Sequence, residues 1–96
     1  MPSKTSPAKL SVVRGRIDRV DLQLLRLVNQ RAALALLIGR IKKRRRWPVF
    51  DAEREAFVLR HIMRANRGPL SAGAVQRIFH AVLRECRRRE RAVTTH

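Results

Sequence analysis

The 96 residues carry 23 Lys and Arg against seven Asp and Glu, a formal charge of +16, with 45% hydrophobic residues, three Phe, one Trp and no Tyr. A chain of this length makes one small domain with a marginal core, so self-association is expected from the outset. The hydrophobic content excludes a disordered basic tail, and so few aromatics argue against a stacking platform for single-stranded nucleic acid.

The N-terminal stretch MPSKTSPAKLSVVRGR has basic residues but no apolar run of signal-peptide length. No later segment approaches the roughly 20 apolar residues of a membrane span. The expectation is a flexible tail over residues 1–9 on a chain that is neither exported nor membrane-bound. The single cysteine, Cys86, excludes an internal disulfide and fits a reducing cytoplasm. Cys86, His61, His80 and His96 do not stand at metal-ligand spacing, and no metal or cofactor is expected. The histidines read as ordinary surface or tail residues.

From residue 11 onward, apolar residues recur at Val13, Ile17, Val20, Leu24, Leu27, Leu34, Ile38 and Ile41, in steps of four and three. That is helical periodicity sustained for about 30 residues. No Pro interrupts it, Gly15 and Gly39 lie near its ends, and good helix formers fill it. Such a helix is about 45 to 50 Å long. Pro48 and the RRRWPVF stretch end it, and Trp47 is expected to pack the turn that follows. Asp51 suits the N-cap of a second helix reaching about Arg67, with Val58, Leu59, Ile62 and Met63 as its apolar side. Gly68 and Pro69 stop that helix. Ser71 caps a third, carrying Val75, Ile78, Phe79, Val82, Leu83 and Cys86 at the same spacing to about Arg91, with 92–96 as a tail.

The fold class is therefore all-α, with one long, one short and one medium helix and a domain over residues 10–91. Helices of about 17 and 20 residues cannot cover the long one. A second copy related by a two-fold axis covers it most economically, which predicts an intertwined helical homodimer.

Charged residues interrupt the apolar faces. The gap in the long stripe is filled by Arg31, and an arginine is seldom buried without an anion or good acceptors. Lys42 follows eleven residues later, about 20° away around the axis, so the two share a face and can converge on one ligand. Arg14 lies roughly 100° from Arg31 on the same helix, unable to reach that ligand from there but able to point into a partner's site in a two-fold dimer. On the third helix the line Val75, Phe79, Val82, Cys86 continues to Glu90, a carboxyl group that either reaches solvent or pairs with Arg87 or Arg91. Asp51, Arg54 and Glu55 are neighbours on one face of helix two. Asp51 has an N-cap role and Glu55 a favourable place at the positive end of the helix dipole. Glu53 is assigned to the solvated side.

Taken in order, Arg14, IDRVD at 17–21, Leu24 and Leu25, Arg31, GRIKK at 39–43 and PVFDAERE at 48–55 resemble the helical, AroQ-type chorismate mutase family. The resemblance covers about residues 10–91. It implies that Arg31 and Lys42, with Arg14 from the other subunit, hold the two carboxylates of chorismate. Lys42 also donates to the ether oxygen; Glu55 and the region of Asp51 contact the ring hydroxyl, and Arg54 orders the site. Cys86 stands where the family often has Ser near a carboxylate, and Glu90 where it has Gln or Glu beside the ether oxygen. The resemblance thus implies catalytic roles for Lys42, Glu90 and Arg31, and no cofactor. A carboxylate cannot donate a hydrogen bond, so Glu90 must carry a proton in the working enzyme.

Two rivals differ in class. An isochorismate pyruvate lyase shares the fold and the carboxylate-clamping cations, but the lyase type generally lacks an acid at the position of Glu55. A basic helical nucleic-acid-binding protein would use KKRRR at 42–46 and RRRER at 87–91, runs that are usually solvated faces. No recognition-helix arrangement accompanies them, so no specific nucleic-acid partner is expected. A mutase that depends on a partner enzyme of the shikimate pathway is a further possibility.

Overall fold

The computed structural model describes residues 7 to 94, which form three helices: α1, Pro7–Arg45; α2, Ala52–Ala65; and α3, Ala72–Thr94. The long, short and medium order is as the periodicity requires. The first helix starts at Pro7, inside the span read as a flexible tail, since proline's missing N–H and fixed φ suit a first helical turn. Residues 1–6 of that tail, and 95–96 of the tail at the other end, lie outside the described residues. The third helix continues to Thr94, past the expected stop near Arg91. The second ends at Ala65, two residues short of Arg67.

Local chemistry accounts for each end. The last turn of α1 closes with the N–H of Arg46 on Lys43 O and the N–H of Trp47 on Lys42 O, with Arg46 at φ 58°. That pair of bonds is the Schellman arrangement, here with an arginine at the left-handed position that glycine usually takes. Asp51 caps α2, its Oδ1 accepting from the Arg54 N–H at 3.0 Å. Asn66 closes α2 and shapes the next turn: its amide donates to Leu70 O and its side-chain oxygen accepts from the Gly68 N–H. Gly68 sits at φ 76°, a conformation glycine adopts without a Cβ penalty. Ser71 Oγ then accepts from the Ala74 N–H at 3.1 Å and caps α3.

The chain divides into two compact units, Met1–Gln30 and Arg31–His96. In the first, α1 leaves its stripe uncovered: Val13, Ile17, Val20, Leu24 and Leu27 are all exposed, Leu27 at 61%. The second holds the core, which is small. Ala35, Val58, Val75, Leu83 and Cys86 are buried, and α2 packs on α3. Within this unit the end of α1 meets α3 at Gly39. A Cβ there would stand 2.9 Å from Glu90 Cα, 3.0 Å from Glu90 O and 2.6 Å from Val93 Cγ2. Glycine at 39 therefore sets how closely the two backbones approach, and so where Glu90 lies relative to the last turns of α1. Among the described residues no helix is long and apolar enough to cross a membrane.

Candidate functional site

The Arg31–His96 unit gathers charge where the end of α1, the start of α2 and the second half of α3 meet. Lys42, in the last turn of α1, donates from Nζ to Glu90 Oε1 at 2.7 Å and to the Val49 carbonyl at 2.6 Å. Both side chains of the pair are 14% exposed. In an ion pair so far withdrawn from water, removing one partner leaves the second uncompensated. The carbonyl of Val49 ties Lys42 to the connection between α1 and α2, so one ammonium group braces three segments.

A second pair lies on the same side of α3. Arg87 Nη1 donates to Glu55 Oε2, each side chain about one-fifth exposed, and the Arg87 guanidinium lies over the Phe50 ring at 5.2 Å. Arg87 and Glu90 are i and i+3 and therefore neighbours. One face of α3 thus presents a cation to the carboxylate of α2 and a carboxylate to the cation of α1. Beside these pairs is a hollow of about 350 Å³ lined by Lys42, Trp47, Pro48, Phe50, Asp51, Ala52 and Glu53.

The residues singled out in the sequence meet different fates. Lys42, Glu90 and Glu55 are brought into ion pairs, Glu90 with Lys42 in place of the Arg87 or Arg91 that its spacing suggested. Asp51 caps α2 and lines the hollow, as does the exposed Glu53. Cys86 is 4% exposed among the core residues. Arg31 is half-buried and makes no ion pair among the described residues, leaving its guanidinium uncommitted. Arg54 lies over the Phe57 ring at 5.2 Å. Arg14 belongs to the other unit, where it is exposed. Trp47 is 55% exposed beneath the Arg45 guanidinium rather than packed into the turn. Among the described residues no three His, Cys, Asp or Glu side chains come together as metal donors.

Arg87 is the member that spacing missed. It sits in RRRER, a run that reads as a solvated face, and its neighbour Arg88 fits that description at 63% exposed. The signal was available: Arg87 stands one turn before Glu90, the carboxyl group already placed on the apolar line of α3.

Comparison with known proteins agrees with this architecture. The family model for chorismate mutase type II matches residues 13–91. A bifunctional chorismate mutase/prephenate dehydratase of Neisseria gonorrhoeae is 41% identical over 92 residues, covering 96% of this chain and 25% of that protein. The protein of the same description from Pseudomonas aeruginosa is 41% identical over 83 residues, covering 81% of this chain and 23% of its own length. The chain thus spans about a quarter of the length of these relatives. Among solved structures, the form II chorismate mutase of Thermus thermophilus superposes with a TM-score of 0.85 at 26% identity, over 86% of this chain and 94% of that one.

Proposed function

This chain belongs to the chorismate mutase type II family, and from that membership we propose that it rearranges chorismate to prephenate, as a homodimer in the cytoplasm. The observation that carries the proposal is the withdrawn pair of Lys42 and Glu90 at 2.7 Å, with Arg31 on the same helix as Lys42 making no ion pair among the described residues. A cation and a carboxyl group side by side are what an ether oxygen gaining negative charge asks for, provided the carboxyl group holds a proton.

The reaction breaks one C–O bond as one C–C bond forms within a single molecule, so nothing has to be attacked or carried away. Arg31 and Lys42, with Arg14 supplied by a second copy, hold the two substrate carboxylates and clamp the enolpyruvyl arm over the ring. Lys42 and protonated Glu90 donate to the ether oxygen as its charge grows. The Lys42 ammonium is engaged by Glu90 and Val49, and a substrate carboxylate competes for it. Asp51 and Glu55 receive the ring hydroxyl, and Arg54 orders the rim. Cys86 lines the site without a strong hydrogen bond, since a thiol donates weakly.

The second copy follows from the uncovered stripe of α1. Leu24 at 57% and Leu27 at 61% exposed belong to a row that water solvates poorly, and a two-fold partner buries identical rows against each other.

The test is an assay of the purified chain with chorismate, with the product identified. Prephenate is expected, and Arg31→Ala and Lys42→Ala each lower kcat/KM by at least about 100-fold, the cost of removing one preorganised donor. Salicylate and pyruvate from isochorismate, with no prephenate from chorismate, would assign the fold to a lyase instead.

A further inference from the structure

We propose that Arg87 is a positioning residue that holds Glu55 as the acceptor for the ring hydroxyl of the substrate; this rests on the chorismate reading above. Glu55 has two oxygens, and Arg87 engages only Oε2. The other, Oε1, accepts no hydrogen bond among the described residues. A carboxylate anchored through one oxygen keeps the second in a defined direction, and a planar guanidinium imposes that direction more strictly than an ammonium group does.

Arg87 is itself fixed. Its guanidinium lies over Phe50, a cation–π contact that restrains the long side chain. Phe50 in turn lines the hollow next to Asp51. The residue is 22% exposed where Arg88, its neighbour, is 63% exposed and pairs with Glu85 on the outer side of α3. Two arginines adjacent in sequence therefore have different tasks. One is a surface charge; the other links α3 to the first turn of α2 and to the wall of the hollow. The link also sorts charges, because Glu55 is satisfied by Arg87 and Lys42 remains for Glu90 and the substrate.

The experiment compares chorismate with chorismate methylated at the ring hydroxyl, which cannot donate to Glu55. With the full chain, Arg87→Met lowers kcat/KM on chorismate by about 10-fold to 100-fold, the loss expected for a hydrogen bond to a charged group, and changes the methyl ether far less. Arg87→Lys, which keeps the charge but loses the planar guanidinium over Phe50, recovers part of the loss. Combining Arg87→Met with Glu55→Gln is no worse than Glu55→Gln alone, since both act through one bond. Arg88→Met, which removes an equal charge from the outer side, leaves both substrates within about twofold of the parent. Equal losses on the two substrates, or a folded Arg87→Met with undiminished turnover of chorismate, would overturn the assignment. If circular dichroism finds Arg87→Met unfolded, the same comparison with Arg87→Lys decides, equal losses on both substrates again counting against it. Failure of the chorismate reading itself is seen separately, in a parent chain that makes no prephenate.

Discussion

Glu90 lies 2.7 Å from Lys42, the lysine that the proposed function puts on the substrate. As a carboxylate it neutralises Lys42 and repels a developing oxyanion; as an acid it donates beside Lys42. The proposed chemistry asks for a donor at this position, and Glu90→Gln supplies an amide N–H there, so the variant should turn over chorismate at least as fast as the parent while Glu90→Ala loses at least about 100-fold. Comparison of kcat/KM for the three proteins checks this, and an alanine variant as fast as the parent removes the role. At this scale the sequence showed which charged residues interrupt apolar faces but was a poor guide to their partners. Glu90 stood out because a carboxyl group continued an apolar line. Its pairing with Lys42, 48 positions away, depends on the packing of α3 against the end of α1, which spacing along either helix does not encode.

Between elements, the contact at Gly39 controls that packing. A methyl group there meets Glu90 Cα and O at 2.9 and 3.0 Å, and because these are backbone atoms, no side-chain rotation relieves the overlap. Overpacking of this kind costs about 1–3 kcal/mol, while alanine returns about 1 kcal/mol of helix propensity. Gly39→Ala should therefore lower the urea midpoint by an amount equal to at most about 2 kcal/mol in a two-state fit. It should also lower turnover at temperatures where the protein is still fully folded, because Glu90 is moved away from Lys42. An alanine variant with the stability and turnover of the parent would show that α3 yields without consequence. Helix order and caps were legible in the sequence, because Asp51, Ser71 and the Gly68–Pro69 break act over one turn of chain. Gly39 was legible only as a residue near a helix end, since the reason for it sits on another helix.

For the whole molecule, the relevant quantity is the apolar surface that a single chain leaves in water. Leu24, Leu27 and Leu34 are each more than half exposed, and nothing in the Met1–Gln30 unit covers the first two. A glutamate at such a position would be almost neutral in a lone chain, where surface substitutions stay within about 0.5 kcal/mol, but would bury a charge in an α1-to-α1 interface. Leu27→Glu should therefore convert a species of twice the 11.1 kDa chain mass into monomer and lower its helix content and activity together, measured by light scattering and circular dichroism. A parent that is monomeric at micromolar concentration and fully active would refute both the assembly and the contribution of Arg14 from a second copy.

Periodicity, caps and breakers act locally, so the linear chain was enough for three helices, their order, their ends to within a few residues, and a set of cations and acids that did not belong on apolar faces. The order of Arg14, Arg31, Lys42, Asp51, Arg54 and Glu55 also sufficed to reach the family. Which charges meet is a property of the packed molecule alone. Packing joined Lys42 to Glu90 and Val49, and it drew Arg87 out of a run of arginines to hold Glu55. The physical reason is that an ion pair depends on where two helices cross, a distance set here by a missing Cβ at Gly39 and by the small core beneath α2 and α3.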